Sequence, residues 1–329
     1  MLAIVRAADN PAAFDAWRKK PGFAAIGAHP FTGGFGRRYY PLVFGDKRRD
    51  ESFAVVEQNK PLLLVPCSLG EGALDHYGLP TRFFSRGDLA SATAEAALTH
   101  LDALAISSGL RRMTLQDNAD AEASSALGNA CRKRSYIPTP HIEGFADLGA
   151  GEPGLRKGLR KSFKSLLNWG QRNMAIEIID QAHPDRTLFR RYQDFHQAIA
   201  GRSTRPQESW DAMFDWIASG HGELILASLD GELVAGTMVV DGASIAFYAS
   251  GVYDRERFDK PLAHWPLWLS MLHAGARGMT IFDIGDLPLE GTASPKEVNI
   301  GYFKRGFATR KEPWTVWMWE KPEARKGSP

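Results

Sequence analysis

Lys304 stands in NIGYFKRGFATR (299–310) among Tyr302, Phe303 and Phe307, with Arg305 beside it and Gly301 and Gly306 on either side. Aromatic groups favour burial and cations favour water. A lysine in this company is either a surface side chain snorkelling over aromatic rings or a charge held in a dry cleft, where its field is far stronger than in water. Upstream, FDIGD (282–286) places Asp283 and Asp286 at the C-terminal end of a strand pattern, where α/β sites tend to be built. Either carboxylate could take the proton an attacking amine must lose, or serve as a cap or turn.

Further cations are grouped. AGRSTRPQESW (200–210) sets Arg202 and Arg205 in a Ser/Thr-rich loop ahead of a helix, which suits phosphate or carboxylate recognition or a plain N-cap. LRKGLRKSFKSLLNWGQR (155–172) reads as one helix. Leu155, Leu159, Phe163 and Leu166 fall on one stripe, and Arg156, Arg160 and Lys164 form a row flanked by Lys157 and Lys161. That row is a phosphate-tracking surface or a solvated face. FTGGFGRRYY (31–40) lacks a preceding strand and a Lys-Ser/Thr ending, so it is a weak phosphate loop, and Arg37 and Arg38 fit a surface turn better than contact with an acceptor phosphate. His221, His264 and His273 show no metal-ligand spacing, and Cys67 and Cys131 can form neither a disulfide framework nor a zinc site.

The elements that must hold these residues repeat. SFAVVEQNKPLLLV (52–65) is a hairpin pattern, and ELILASLDGELVAGTMVV (223–240) repeats it around Asp230-Gly231, a strong two-residue turn signal. Each is followed by a helical pattern, a glycine and a strand. Ala94, Leu98, Leu101 and Ala105 lead to Gly109 and MTLQD (113–117), while Trp265, Leu269, Leu272 and Ala276 lead to Gly278 and MTIFD (279–283). GAGEPG (149–154) reads as a flexible boundary between two α/β modules. With 329 residues, 44% hydrophobic composition and a net charge of +2, the chain has room for two cores and no bulk need of a polyanionic partner. The N-terminus has no apolar segment able to cross a bilayer, and the cysteine usage suits a cytoplasmic setting.

The second half resembles the Fem-type (FemAB-like) branch of the GNAT acyltransferase superfamily over roughly 150–310. The likeness rests on the basic helix leading to LLNWG, on LILASLDGELVAGTMVV, on the segment from FYASGVYD to FDIGD, and on NIGYFKRGF. It implies two GNAT-like modules in tandem and a last strand, WTVWMWE (314–320), returned to the first. It also places Lys304, paired with Phe303, at the acyl-transfer centre, where a fixed cation would stabilise the oxyanion formed as an amine attacks an ester or thioester. Gly301 and Gly306 would then let the backbone approach the substrate. The chain departs from ordinary GNAT enzymes at DRERFDKPLAHW (254–265), which lacks the glycine-rich loop for coenzyme A pyrophosphate. Arg255, Arg257 and Lys260 offer long cations there instead, which tilts the expected donor towards aminoacyl-tRNA over acyl-coenzyme A.

The expectation is thus an α/β protein (α+β, mixed sheets) of two modules, 1–150 and 151–312, with strand 313–320 joining the first. It would be an N-acyltransferase or aminoacyltransferase acting on an amine of a cell-envelope precursor, an amino sugar or a peptidoglycan stem amine. No metal or tightly bound cofactor is expected, and tRNA is a conceivable partner. The expected catalytic residues are Lys304, Asp283 and Asp286. Tyr302, Phe303, Arg202, Arg205, Tyr253, Arg255, Arg257, Lys260, Arg156, Arg160 and Lys164 are expected around the substrates. The alternative is a catalytically silent module gripping a nucleotide, RNA or glycan through the basic helix.

Overall fold

The computed structural model describes residues 1–120, 122–289, 291 and 293–321. The chain folds as two compact units. The first takes Met1–Ile26, Phe44–His141 and the chain from Pro313 onward, and the second takes Gly27–Val43 and Ile142–Glu312. This division differs from a cut near residue 150, because residues 27–43 join the second unit.

In the first unit the hairpin Phe53–Glu57/Lys60–Val65 turns at Gln58 and Asn59, both left-handed (φ 48° and 61°). Two consecutive positive φ values match the right-handed twist of paired strands. The helix Ser91–Ser107 buries Ala94, Ala97, Leu98, Leu101 and Ala105, and Gly109 (φ 61°) ends it before the strand Arg112–Asp117. That strand lies parallel to Ala73–Asp75 and Thr81–Arg82 and antiparallel to residues 315–320 of Arg310–Glu320, whose Trp317 enters the core.

The second unit repeats the order. Its hairpin, Gly222–Leu229/Glu232–Asp241, turns at Asp230 and Gly231 (φ 53° and 83°). The strand Ile245–Tyr253, the helix His264–Ala276, Gly278 (φ 90°) and the strand Ile281–Asp286 follow. Neighbours pair antiparallel in the order Ala175–Ile179, Gly222–Leu229, Glu232–Asp241 and Ile245–Tyr253; Ile281–Asp286 then pairs antiparallel with residues 143–147. The exception is the contact of Ile245–Tyr253 with Ile281–Asp286, which is parallel and lasts only through Ile245↔Ile281, Ala246↔Phe282 and Phe247↔Asp283. Beyond Phe247 the two strands part.

Two local expectations are corrected. Residues 149–154 are not a flexible linker: Leu148–Ala150 is a short 3₁₀ turn that runs into the helix Gly151–Gly158. The basic stretch is also not one helix, since Gly151–Gly158 and Phe163–Asn173 are separated by an extended Leu159 (φ −64°, ψ 138°). The Arg160 amide donates to Gly306 O at 2.9 Å, which takes it out of a helical ladder. A side chain at Gly158 would lie 2.7 Å from Thr309, so this residue permits close approach at the break. Leu155, Leu159, Phe163 and Leu167 are nonetheless all buried, because the break leaves the apolar stripe facing one core.

Candidate active site

Lys304 lies in the last turn of the helix Pro295–Arg305. That helix starts with Pro295 at its first position and a capping box between Ser294 and Glu297. Its glycines serve packing, which corrects the expectation that they admit substrate. A Cβ on Gly301 would lie 3.0 Å from Pro288, and one on Gly306 would lie 2.1 Å from the Phe163 ring. Arg305 donates to the carbonyls of Leu287 and Pro288 and fastens the helix to the chain leaving the Ile281–Asp286 strand.

The aromatic residues beside Lys304 in sequence have their own partners. Tyr302 is 60% exposed, with the Arg160 guanidinium 3.8 Å from its ring centroid. Phe303 joins Phe163, His264 and Phe307 in one aromatic cluster. Lys304 is half-buried over Gly285 instead: a methyl there would meet Lys304 Nζ at 3.0 Å and Phe247 at 3.9 Å. Gly285 also has φ +86°, so both backbone and space call for glycine.

Asp283, 1% exposed, lies two residues before it. Its Oδ1 accepts the Gly285 amide at 2.7 Å, and its Oδ2 lies 3.3 Å from His29 Nε2. Asp286 is half-buried at the strand end, directly opposite Glu143 on the antiparallel neighbour. Like charges facing across a ladder repel, and Lys304 supplies the opposite sign to both. Burial lowers the pKa of Lys304 below that of an ordinary lysine, against the pull of Asp283, Asp286 and Glu143.

These residues meet where the Ile245–Tyr253 and Ile281–Asp286 strands part. On the diverging strand, Tyr253 OH lies 2.6 Å from Tyr248 OH and 3.2 Å from Thr237 Oγ1, and Ser250 Oγ accepts from Tyr192 OH at 2.9 Å. Burial raises the pKa of both Tyr248 and Tyr253, which keeps them protonated as donors.

The remaining expected residues are scattered. Arg156 pairs with Glu152 at 2.7 Å and covers Trp268, while Lys164 is exposed on the next helix. With Arg160 on Tyr302, the three form no row. Arg205 lies over Trp210 (4.5 Å) and donates to Met213 Sδ at 3.0 Å, its charge also acting on Tyr39, and Arg202 is exposed. Arg257 pairs with Glu232 and Asp254, Lys260 pairs with Asp259 at 2.9 Å, and Arg255 is exposed. Sequence reading missed His29, Glu143, Phe247 and Gly285. Only Gly285 left a signal, a glycine inside a strand pattern.

Residues 154–293 match the family model described as an acetyltransferase (GNAT) domain. Over those residues the chain is similar to GNAT domains. No curated protein matches it in sequence. Among solved structures, the GNAT fold of the whole chain is similar to a tandem GNAT protein from the clavulanic acid biosynthesis pathway. That match has TM-score 0.62 and 15% identity, and covers 98% of this chain and 100% of the other. FemX follows with TM-score 0.60, 12% identity and coverage of 89% and 94%, so the Fem-type likeness holds in fold. The structure of L-PGS from Bacillus licheniformis gives TM-score 0.57, 12% identity and coverage of 96% and 93%. The chain is an α/β protein of two tandem GNAT-like modules. No helix among the described residues is long and apolar enough to cross a membrane.

Proposed function

We propose that the second GNAT module transfers an acyl or aminoacyl group from an ester or thioester to an amine, in the opening between the Ile245–Tyr253 and Ile281–Asp286 strands. The observation that carries this reading is the half-buried ammonium of Lys304 held over Gly285 where the strands part. The acceptor nitrogen attacks the carbonyl carbon, and Lys304 stabilises the charge that grows on the carbonyl oxygen. The amide C–N bond forms as the ester C–O or thioester C–S bond breaks. Asp286 takes the ammonium proton, and the leaving oxygen or sulfur gains a proton. Asp283, buried, bonded to the Gly285 amide and 3.3 Å from His29 Nε2, orients its neighbours and does not touch the substrate.

The donor we favour is aminoacyl-type. At the entry to the His264–Ala276 helix Pro266 has no amide, and the amides of His264 and Leu267 already donate to Pro261 O and Ala263 O. That leaves little for a pyrophosphate. Arg205, with Tyr39 and Trp210 around it, offers an anion-recognising group for the acceptor, which we take to be an amine of a cell-envelope precursor in the cytoplasm. The silent-module alternative loses its support, because the basic row it needs is broken.

The test is to offer the full chain acetyl-coenzyme A or charged tRNA, each with amino-sugar nucleotides and peptidoglycan stem peptides, and to follow amine mass gain by mass spectrometry. Donor-dependent gain that collapses in Lys304→Ala is expected. No gain with any pairing, or full activity in Lys304→Ala, would overturn the reading. Calorimetric binding of acetyl-coenzyme A that is lost in Arg255→Glu would reverse the donor preference.

A further inference from the structure

The transfer site as the second half of the chain builds it is incomplete, and the missing contact comes from residues 27–43. This segment is tied into the second unit by its backbone. The Ala243 amide donates to Gly27 O at 2.9 Å, and a Cβ on Gly242 would lie 2.2 Å from Ala28 O, so the two chains lie as close as glycine allows. The tie delivers His29, 7% exposed, with its ring 5.0 Å from Phe247 and 5.9 Å from Phe31.

The tautomer of His29 follows from its partners. The Phe31 amide donates to Nδ1 at 3.2 Å, so Nδ1 carries a lone pair and the ring proton is on Nε2. Nε2 lies 3.3 Å from Asp283 Oδ2. Asp283 is nearly inaccessible to water, and a buried carboxylate is costly unless its oxygens are met. Gly285 meets one oxygen and His29 the other. With both occupied, the carboxylate is fixed in the orientation in which its charge acts on Lys304, the first of the three carboxylates that do so.

We propose that His29, neutral and protonated on Nε2, is a positioning residue of the transfer site: it locks Asp283 beside Lys304, so that a segment from the start of the chain completes the second module's chemistry. The catalytic part rests on the reading of Lys304 as the transfer centre, whereas the contact can be tested without any substrate.

The experiment is trace labelling of the full-length protein with acetic anhydride at about pH 8, with acetylation of Lys304 read by peptide mass spectrometry against exposed Lys164. In His29→Phe, Asp283 Oδ2 loses its donor and the carboxylate turns away or takes a proton. Lys304 then gives up its own proton more readily, and its relative labelling rises about three- to tenfold, the consequence of up to about one pKa unit. His29→Gln, whose side-chain amide reaches the same oxygen, restores labelling towards wild type. Unchanged labelling in His29→Phe, or equal disturbance in both variants, overturns the contact.

Should His29→Phe not fold, nitrogen NMR of the wild-type ring decides: a protonated Nδ1 overturns the proposal, and a bare Nδ1 with Nε2–H supports it. Once an acceptor is in hand, kcat should fall about tenfold in His29→Phe with KM little changed. A labelling shift with unchanged kcat overturns the positioning role together with the placement of the reaction at Lys304. An absent labelling shift overturns only the contact.

Discussion

The two modules place an aspartate at the same point in the same order of elements and use it differently. In the first, Asp117 ends MTLQD and accepts the hydroxyl of Ser125, the N-cap of the helix Ala126–Lys133, so the carboxylate fixes a helix start. In the second, Asp283 ends MTIFD, accepts the Gly285 amide and lies 3.3 Å from His29 Nε2. The following helix has 8 residues in the first module and 11 in the second, close to one turn more. The cations closing the shorter helix are neutralised near the surface, Lys133 by Glu95 at 3.2 Å and Arg134 by Asp102 at 2.9 Å. The extra turn of the longer helix carries Lys304 over a glycine at a strand end. The proposed site differs from the matching place in the first module by one turn of helix, one glycine and one histidine from outside the second half.

The comparison breaks most sharply at the two lysines. Lys304→Ala should lower turnover about 10²–10³-fold, the usual cost of removing one oxyanion donor, with little change in Tm. Lys133→Ala should leave turnover at the wild-type value, and an equal loss in both would dissolve the distinction between the modules.

Gly285→Ala is next. It forces an alanine into φ +86° and puts a methyl 3.0 Å from Lys304 Nζ, so it should cost about 1–3 kcal/mol in denaturant unfolding and lower kcat together. A stability loss with kcat intact would show that the lysine position does not matter.

The aspartates sharpen the contrast through pH. Lys304 must be protonated to act, so the rate should fall on the alkaline side as pH passes its lowered pKa. Asp283→Asn removes a charge that favours the ammonium and should move that limb to lower pH. Asp117→Asn should leave the limb in place and cost about 0.5–2 kcal/mol through the weakened helix cap.

The smallest effect lies behind the second module's sheet. The Glu223 carboxylate, 2.8 Å from His273 Nδ1, raises the His273 pKa. A raised pKa contributes stability below the ordinary histidine value, and that contribution is lost as pH rises through the higher folded value. His273→Phe should therefore destabilise the protein by up to about 1 kcal/mol near pH 5, given the partial exposure, and by less at pH 9. A difference independent of pH would remove the ion pair as its cause.

What could be read from the sequence follows the range of the interaction. Turn chemistry is local, so Asp230-Gly231 and the polar turn at Asn59 marked both hairpins, and the helix, glycine and strand after each followed from periodicity. Lys304 came from a motif resemblance, and Asp283 and Asp286 from their place at a strand end. The break at Leu159 was hidden, because the Gly306 carbonyl that takes the Arg160 amide lies far along the chain. The acids meeting Arg257 are at 232 and 254, and no periodicity of the 254–265 stretch points to the first. His29 was beyond any local rule, since its place depends on a backbone tie to residues 242–243.

That tie also orders the birth of the protein. Asp283 leaves the ribosome about 250 residues after His29, which at roughly 5–20 residues per second is on the order of 10–50 s. The core that Phe31, Phe35 and Tyr39 join is built from residues between 179 and 252, so they too wait for partners made at least about 140 residues later. The nascent chain must carry this aromatic segment between two stretches that belong to the first unit. The second module closes only when this earlier-made piece is taken up by residues made later.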